Sequence, residues 1–251
     1  HTEGSPSRAN TMIRVLRALY NYAMGQYVDA REEPLILHNP TAIISHNKAW
    51  NREKPRVGVV KDYNLKGWYE GVMKLTEHEK NLAKTNSSEV ARDVFIFILF
   101  TGMRRNEVLS LKWEDIDFED KTFTVGKTKN HEGLKLPLTW LLLEVLERRK
   151  NDNGNPYVFE GEKPNSHLSP PKKQIEKARE LVGFHFTNHD LRRTFSTTAH
   201  RLNFGKYTLD RLINHKTQDS NDITARYVIL DVEDLREPMN QITDSIWSQI
   251  Q

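Results

Sequence analysis

Cysteine is absent from the 251 residues of this chain. Its absence excludes disulfide bonds, thiolate metal sites and cysteine nucleophiles. A cysteine-free chain is compatible with a reducing compartment, and we expect a cytoplasmic protein. Glycine and proline are sparse, at 12 and 10 residues, and we find neither an internal repeat nor a low-complexity tract.

Long hydrophobic runs are also missing. The longest run, Val94 to Phe100, has seven apolar residues, whereas a membrane-spanning helix needs roughly 20. We interpret it as part of a buried helix. The chain opens with His1-Thr2-Glu3 and shows no charged-then-apolar leader, so we expect no export signal and an internal or cleaved fragment.

The chain has little excess of charge of either sign. Lys and Arg number 37 against 34 Asp and Glu, a formal charge of +3. This balance leans only slightly towards a polyanionic partner. The 37% hydrophobic content allows a sizeable core, and the length suits one large domain, or one domain with a fragment of another.

Sequence patterns divide the chain into two parts. Ser5-Pro6 predicts the start of a long amphipathic helix that reaches about Tyr27. Residues 31–56 are polar and proline-containing, with one short apolar turn at 41–44, which indicates a linker. One helix and a turn cannot enclose a core, so we expect further helices upstream of residue 1.

The second part is predicted to be mainly α with a small antiparallel β-sheet. Thr122–Val125 and Leu134–Leu136 flank a polar turn and predict a β-hairpin, with Ile116-Asp117 as a candidate earlier strand. An apolar stripe near the end of the chain predicts a helix that Pro238 either begins or kinks. Helical periodicity predicts the other helices near residues 62–76, 87–101, 104–112, 138–150, 170–182, 188–202 and 207–214.

Four short segments carry side chains suited to phosphodiester chemistry. Two arginines, a lysine and two histidines can neutralise and protonate a pentacoordinate phosphate, and a tyrosine can attack it, so the set needs no metal. The segments are Thr101–Glu107, Gly126–Lys129, His189–Arg192, and His215 with Tyr227 twelve residues later.

The order and spacing of these segments resemble the catalytic domain of tyrosine recombinases, the family of phage integrases and Xer-type recombinases. The motifs are Thr101-Gly-Met-Arg104-x-x-Glu107 and, most specifically, Phe186-Thr-Asn-His189-Asp-Leu-Arg192-Arg-Thr-Phe195. The resemblance runs from about residue 62 to 251. It implies a catalytic domain of that fold at 58–251, and the remnant of a helical core-binding, DNA-binding domain with its linker at 1–57.

The resemblance also implies a role for each matched residue. Arg104 and Arg192 would hold the scissile phosphate, as a planar guanidinium can grip two oxygens and stays charged. His189 would accept the tyrosine proton. His215 would hydrogen-bond the phosphate, and Tyr227 would be the nucleophile.

Two lysines compete for the role of general acid. The residues around Lys127 resemble the family motif better. The interval between the lysine and Pro137, however, favours Lys129 if the hairpin is short. We choose Lys127 for protonation of the leaving 5′ oxygen. Lys129, Arg105 and Arg193 are assigned to contacts with DNA.

The chain departs from the family pattern at two places. Asn214 stands where glycine is usual, and Asn is the next best residue for a left-handed helix end. The interval between His215 and Tyr227 is longer than usual. Tyr207 is the nearest other tyrosine, but it precedes His215, so Tyr227 remains the predicted nucleophile.

The activity implied by the resemblance is site-specific DNA recombination through a 3′-phosphotyrosine intermediate, without cofactor or metal. We expect a phage or integrated-element integrase that acts on double-stranded attachment-site DNA in a bacterial cell or phage-infected host. It would form a homo-oligomer, expected to be a tetramer, with accessory DNA-bending proteins as possible partners. The stripe at the chain end would pack in its own molecule or dock on a neighbouring protomer.

Three other activities stay open at this point. A type IB topoisomerase uses the same residues but rejoins the original strand. A DNA-binding fragment without strand transfer is the second alternative. The third takes His189-Asp190 as the metal dyad of an HD-type phosphohydrolase, which needs further His and Asp ligands.

Overall fold

The computed structural model describes residues 5–53, 58–76, 87–126, 133–150, 154–214 and 230–251. The chain forms two compact units, His1–Arg56 and Val57–Gln251. No helix within the described ranges has the length and apolar character that a membrane span requires.

The first unit is built on one long helix, α1 (Pro6–Gln26), with a proline in its first turn as the sequence predicts. A short helix, α2 (Ala42–His46), lies in the polar segment that follows. Polar contacts join this segment to α1: the Asn10 amide donates to the Asn51 carbonyl at 3.0 Å, and Arg17 donates to the Ser45 hydroxyl at 2.7 Å. Another side of α1 exposes large apolar side chains, namely Met12, Val15, Leu16, Leu19 and Tyr22.

The second unit is mainly helical, as predicted. Its helices in the described ranges are α3 (Asp62–Met73), which a 3-10 turn at Lys74–Thr76 extends, α4 (Ser87–Thr101), α5 (Arg105–Leu109), α6 (Trp140–Arg149), α7 (Lys172–Val182), α8 (Asn188–Arg201), α9 (Lys206–Leu212) and α10 (Glu233–Trp247).

Helix α5 is shorter than the predicted 104–112, because the residues after Leu109 pair with a distant loop. The Leu111 carbonyl accepts the Val158 N–H at 3.0 Å, and the Trp113 N–H donates to the Pro156 carbonyl at 3.0 Å. These two hydrogen bonds hold the chain after Leu109 in an extended conformation, which local hydrophobic periodicity does not predict.

Helix α4 is the centre of the core. Every residue from Val94 to Phe100 is at most 1% exposed, which confirms the predicted buried helix. Phe97 makes edge contacts with Phe123 and Phe159, each with ring centroids 5.5 Å apart. The helix that ends in the Thr101-Gly102 turn is therefore fixed along its whole length by packing.

The sheet has the predicted hairpin and the candidate earlier strand. Strands β1 (Ile116–Asp117), β2 (Thr122–Val125) and β3 (Leu134–Pro137) are antiparallel in the order β1-β2-β3. Phe123 pairs with Leu136, and both side chains are fully buried. The sheet thus attaches to the helical core through one face.

Helix α10 packs within its own unit. Leu235, Met239, Ile242 and Ile246 are at most 1% exposed, so this structure shows the intramolecular alternative for the apolar stripe. Pro238 lies inside the helix and does not begin it.

A buried carboxylate joins α4 to α6. The Asp93 side chain is fully buried and accepts from Arg92 Nε at 2.9 Å and from Arg148 Nη2 at 3.1 Å. Arg149, which is 4% exposed, lies 3.8 Å from the same carboxylate. A buried charge of this kind is stable only while its partners remain.

We predict that Asp93→Ala lowers the free energy of unfolding by about 3–5 kcal/mol, because it removes the fully buried carboxylate that Arg92, Arg148 and Arg149 share. Glu144→Ala is the matched control, since Glu144 pairs with the same Arg148 but its side chain is 59% exposed. It should change stability by less than about 0.5 kcal/mol. Urea denaturation measures both; equal losses would contradict this role of Asp93.

Candidate active site

Helix α8 begins with a cap formed by Thr187 and Asp190. The Thr187 hydroxyl accepts the Asp190 N–H at 3.2 Å, and the Asp190 carboxylate accepts the Thr187 N–H at 2.9 Å. This reciprocal box satisfies two backbone donors at the helix start. It places His189 and Arg192 in the first turns of α8, one helical turn apart.

Arg192 is a nearly buried cation that joins three segments. Its Nη1 donates to the Gly102 carbonyl at 2.6 Å, and its Nη2 donates to the Ile213 carbonyl at 2.8 Å. Arg192 therefore fastens the turn after α4 and the end of α9 to α8.

Gly102 is required by both its backbone conformation and its surroundings. Its φ is +64°, and a Cβ added there would lie 2.5 Å from Cδ1 of Phe195. Only glycine avoids both the strained dihedral and the clash. The chain turns sharply against α8 just before Arg104. This turn explains why glycine occupies the second position of the Thr-Gly-Met-Arg motif.

Arg104 lies just before α5 and, unlike Arg192, is exposed to solvent. Its Nη1 donates to Glu107 Oε1 at 3.2 Å and to the Asn214 carbonyl at 2.8 Å. Oε2 of Glu107 accepts the Arg104 backbone N–H at 2.9 Å. Glu107 thus binds both the backbone and the side chain of Arg104 and orients its guanidinium.

Asn214 connects the remaining parts of the site. Its φ of 49° confirms the predicted left-handed conformation at the end of α9. Its amide donates to Glu107 Oε1 at 3.1 Å. A Cβ added to Gly126, the residue after β2, would lie 3.6 Å from the same amide nitrogen. The ends of β2 and α9 therefore meet beside Arg104.

The two arginines influence each other electrostatically. Burial, and then the charge of Arg104, lower the pKa of Arg192 to about 10, while Glu107 opposes the shift. Arg192 still carries its proton at neutral pH. Two guanidinium charges this close favour an anion between or beside them.

The pKa of His189 is lowered from its ordinary value. Partial removal of the ring from water is the main cause, followed by the charges of Arg193 and Arg192, with Asp190 opposing. The imidazole is therefore neutral at neutral pH, which is the form that accepts a proton.

The two described arginines assigned to DNA contacts differ in exposure. Arg105 is exposed and donates to Asn106 Oδ1 at 3.3 Å. Arg193 is partly buried, with Nη1 3.7 Å from Asp190 Oδ1. Their assignment to DNA stays a prediction.

Four predicted site residues, Lys127, Lys129, His215 and Tyr227, lie outside the described residues, and their roles also stay predictions. Gly126 and Asn214 immediately precede Lys127 and His215 in the sequence.

The described part of the structure contains no ligand set for the HD-type phosphohydrolase alternative. Within the ranges given above, no group of three or more His, Asp or Glu side chains is placed to hold a metal ion. His189 and Asp190 have no such neighbours there. Asp190 is instead part of the helix cap.

One support of the site was not evident from the sequence. The Val60 N–H donates to the Thr194 hydroxyl of α8 at 2.9 Å, and a Cβ on Gly58 would lie 2.3 Å from Asp190 Oδ1. The segment before α3 therefore packs directly on the cap of α8. The two partners are more than 130 residues apart in sequence, and no local pattern signals the contact.

The model of the phage integrase family matches residues 71–233, well over half of the chain. The chain belongs to the phage integrase family.

Curated relatives of this integrase-family chain are named as recombinases or integrases. Tyrosine recombinase XerA of Pyrococcus furiosus is 28% identical over 182 residues, which cover 68% of this chain and 63% of the relative. Prophage integrase IntF of Escherichia coli K12 is 28% identical over 158 residues, 61% of this chain and 31% of the relative. The chain thus spans about a third to two thirds of the length of these relatives.

Solved structures share the fold. XerH site-specific recombinase bound to difH substrate, in a pre-cleavage complex, has a TM-score of 0.63 at 22% identity over 98% of this chain and 67% of that one. A lambda integrase dimer bound to a COC′ core site has a TM-score of 0.60 at 18% identity over 90% and 59%. The second unit has the fold of a tyrosine recombinase catalytic domain.

We predict that Gly58→Ala displaces the Asp190 carboxylate and weakens the cap of α8, lowering the free energy of unfolding by about 1–3 kcal/mol. Gly67→Ala is the matched control, because a Cβ there meets nothing within 4 Å. That change removes a glycine from the interior of α3 and should raise stability by up to about 1 kcal/mol. Thermal unfolding distinguishes the two; an unchanged Gly58→Ala protein would contradict the packing argument.

We also predict that Arg193→Gln raises the pKa of His189 towards its ordinary value, because it removes a nearby positive charge. NMR titration of the His189 ring proton, assigned by its loss in His189→Gln, measures the shift. Arg201→Gln lies on the same helix but pairs with Asp62 and should leave the titration unchanged. A fall in the pKa of the Arg193→Gln protein would refute this account.

Proposed function

We propose that this chain is the catalytic portion of a site-specific DNA recombinase that cleaves and rejoins DNA through a 3′-phosphotyrosine intermediate. The observation that carries the proposal is the convergence of Arg104 and Arg192. They come from segments almost 90 residues apart, yet consecutive carbonyls, those of Ile213 and Asn214, hold them. Such a pair suits a phosphodiester whose negative charge grows during attack.

The proposed reaction begins with cleavage. The Tyr227 oxygen forms a bond to phosphorus while its proton passes to His189, which is neutral and able to accept it. The bond from phosphorus to the 5′ oxygen breaks, and that oxygen takes a proton from Lys127. Arg104, Arg192 and His215 stabilise the charge on the remaining phosphate oxygens.

Rejoining is the reverse reaction with a different strand. A 5′ hydroxyl attacks the phosphotyrosine, loses its proton to Lys127, and releases Tyr227, which recovers its proton from His189. One phosphoester bond forms for each that breaks, so the exchange needs no external energy source.

Duplex DNA and copies of the same chain are the proposed partners. XerH is described as bound to difH substrate, and lambda integrase as a tetramer bound to a Holliday junction. We therefore propose that this chain acts as a tetramer on an attachment site of a phage or integrated element, in the bacterial cytoplasm, with accessory DNA-bending proteins. The names of the relatives do not favour topoisomerase activity or binding alone.

The first unit, with the linker to residue 57, is proposed to belong to the helical core-binding domain. The exposed apolar side of α1 supports this, because large apolar side chains exposed at helical spacing are typical of a face that packs against another element. We propose 58–251 as the catalytic domain.

We predict that the protein forms a covalent adduct with a nicked suicide duplex, whose cleaved end diffuses away and prevents rejoining. The duplex is first selected by binding from a randomised pool. Denaturing gel and peptide mapping should place the adduct on Tyr227, and Tyr227→Phe should abolish it, because phenylalanine has no oxygen nucleophile.

Tyr207→Phe is the matched control and should retain the adduct. An adduct that survives in Tyr227→Phe would show that the nucleophile is misplaced. Binding of the duplex without any adduct from the wild-type protein would overturn the recombinase proposal in favour of a DNA-binding function.

A further inference from the structure

The guanidinium of Arg104 is held at one of its three nitrogens. Its Nη1 donates to Glu107 Oε1 at 3.2 Å and to the Asn214 carbonyl at 2.8 Å. Its Nε and Nη2 have no hydrogen-bond partner among the described residues. Two adjacent N–H groups of this kind can grip two oxygens of a phosphate side by side. The contacts at Nη1 therefore also set the direction in which the Nε–Nη2 edge points.

Asn214 closes these contacts into a ring of three residues. Its side-chain amide donates to Glu107 Oε1 at 3.1 Å, which is the same oxygen that Arg104 reaches. Its backbone carbonyl meanwhile accepts from Arg104. We call Arg104, Glu107 and Asn214 the Arg104 ring. Each member of the ring is hydrogen-bonded to the other two.

The backbone conformation of Asn214 allows one residue to make both contacts. Its φ of 49° lies in the left-handed region, which glycine, asparagine and aspartate tolerate better than other residues do. Glycine would keep the carbonyl in place, but it has no amide. Aspartate would keep the shape of the side chain, but its carboxylate would face the carboxylate of Glu107. Asparagine thus combines the turn with a donor.

The amide contact is better covered than the ion pair that it supports. The Glu107 side chain is 20% exposed, against 48% for Arg104. The amide nitrogen also lies against the end of β2, since a Cβ on Gly126 would be 3.6 Å from it. Water competes with the Arg104–Glu107 ion pair on the arginine side. The amide of Asn214 holds the partner that is less exposed, and so limits the movement of the pair.

We propose that Asn214 is a positioning residue that, through Glu107, keeps the Nε–Nη2 edge of Arg104 directed at the scissile phosphate. The inference rests on the proposed function. The effect is modest, because the Asn214 carbonyl and Glu107 still contact Arg104 when the amide is lost. Asn214→Gly should slow cleavage about 3- to 10-fold, as expected for one hydrogen bond. Arg104→Ala, which removes the phosphate-binding group itself, should slow it about 10²- to 10³-fold.

A second asparagine provides the matched control. Asn203 lies two residues after the end of α8, has a left-handed φ of 59°, and is exposed. Asn203→Gly is therefore the same chemical change in the same backbone conformation, outside the Arg104 ring. It should form the covalent adduct with the selected suicide duplex at the wild-type rate.

A neutral phosphate separates the orientation of Arg104 from a general loss of activity. In a second suicide duplex, a methyl group replaces one non-bridging oxygen of the scissile phosphate and removes its negative charge; both stereoisomers are tested. A guanidinium acts on phosphate chiefly through that charge, so the orientation of Arg104 matters less on this duplex. Asn214→Gly should cleave it within about twofold of the wild-type rate.

Glu107 supplies a further readout, because the amide is proposed to act through it. Glu107→Ala should slow cleavage of the ordinary duplex at least as much as Asn214→Gly does. The double variant should be no slower than Glu107→Ala alone, since the amide then has no partner to hold. Asn214→Asp should be at least as slow as Asn214→Gly, because it places a second carboxylate against Glu107.

Four results would each overturn the inference while leaving the proposed function intact. The first is wild-type cleavage of the ordinary duplex by Asn214→Gly, and the second is an equal slowing by Asn203→Gly. The third is an equal slowing of Asn214→Gly on the ordinary and the methyl duplex. The fourth is a double variant slowed by the product of its single effects. Absence of an adduct from the wild-type protein on the ordinary duplex would overturn the proposed function, and this inference with it.

Discussion

The two hydrogen bonds from Arg192 to the Gly102 and Ile213 carbonyls are the contacts on which the site depends. Burying a guanidinium is costly unless its donors find partners. Here two carbonyls meet it, and the carboxylate of Glu107 partly offsets the repulsion from Arg104. The same side chain that is proposed to hold phosphate therefore also holds the turn after α4 and the end of α9. Removing it would leave the turn after α4 and the end of α9 without this shared partner.

The end of α9 aligns both arginines at once. The Ile213 carbonyl holds Arg192, and the next carbonyl, that of Asn214, holds Arg104. The left-handed turn at Asn214 directs these successive carbonyls, and the Asn214 amide also reaches Glu107. Glycine would adopt this turn as easily, but it would not supply the amide. The departure from the usual glycine thus adds a contact to the site while keeping the backbone shape.

Much of this fold could be predicted because its signals are local. The apolar run at 94–100, the capping residues before His189 and the alternation around the hairpin each determine a nearby structure. The end of α5 and the packing of Gly58 on Asp190 could not be predicted, because each depends on a partner far away in sequence. At the site, residue types and family order indicated Arg104 and Arg192. Only the structure revealed that carbonyl groups, which every residue possesses, hold them in place.

The site is assembled from contacts that span long stretches of chain. The Gly102–Arg192 and Arg104–Asn214 hydrogen bonds join residues 90 and 110 positions apart. Such contacts require the closure of large loops, which costs more entropy than a local contact does. A chain still emerging from the ribosome contains Arg104 well before Arg192 and Asn214 have been synthesised, so it cannot yet bring the two cations together. The paired charges therefore become available only after most of the second unit has been made.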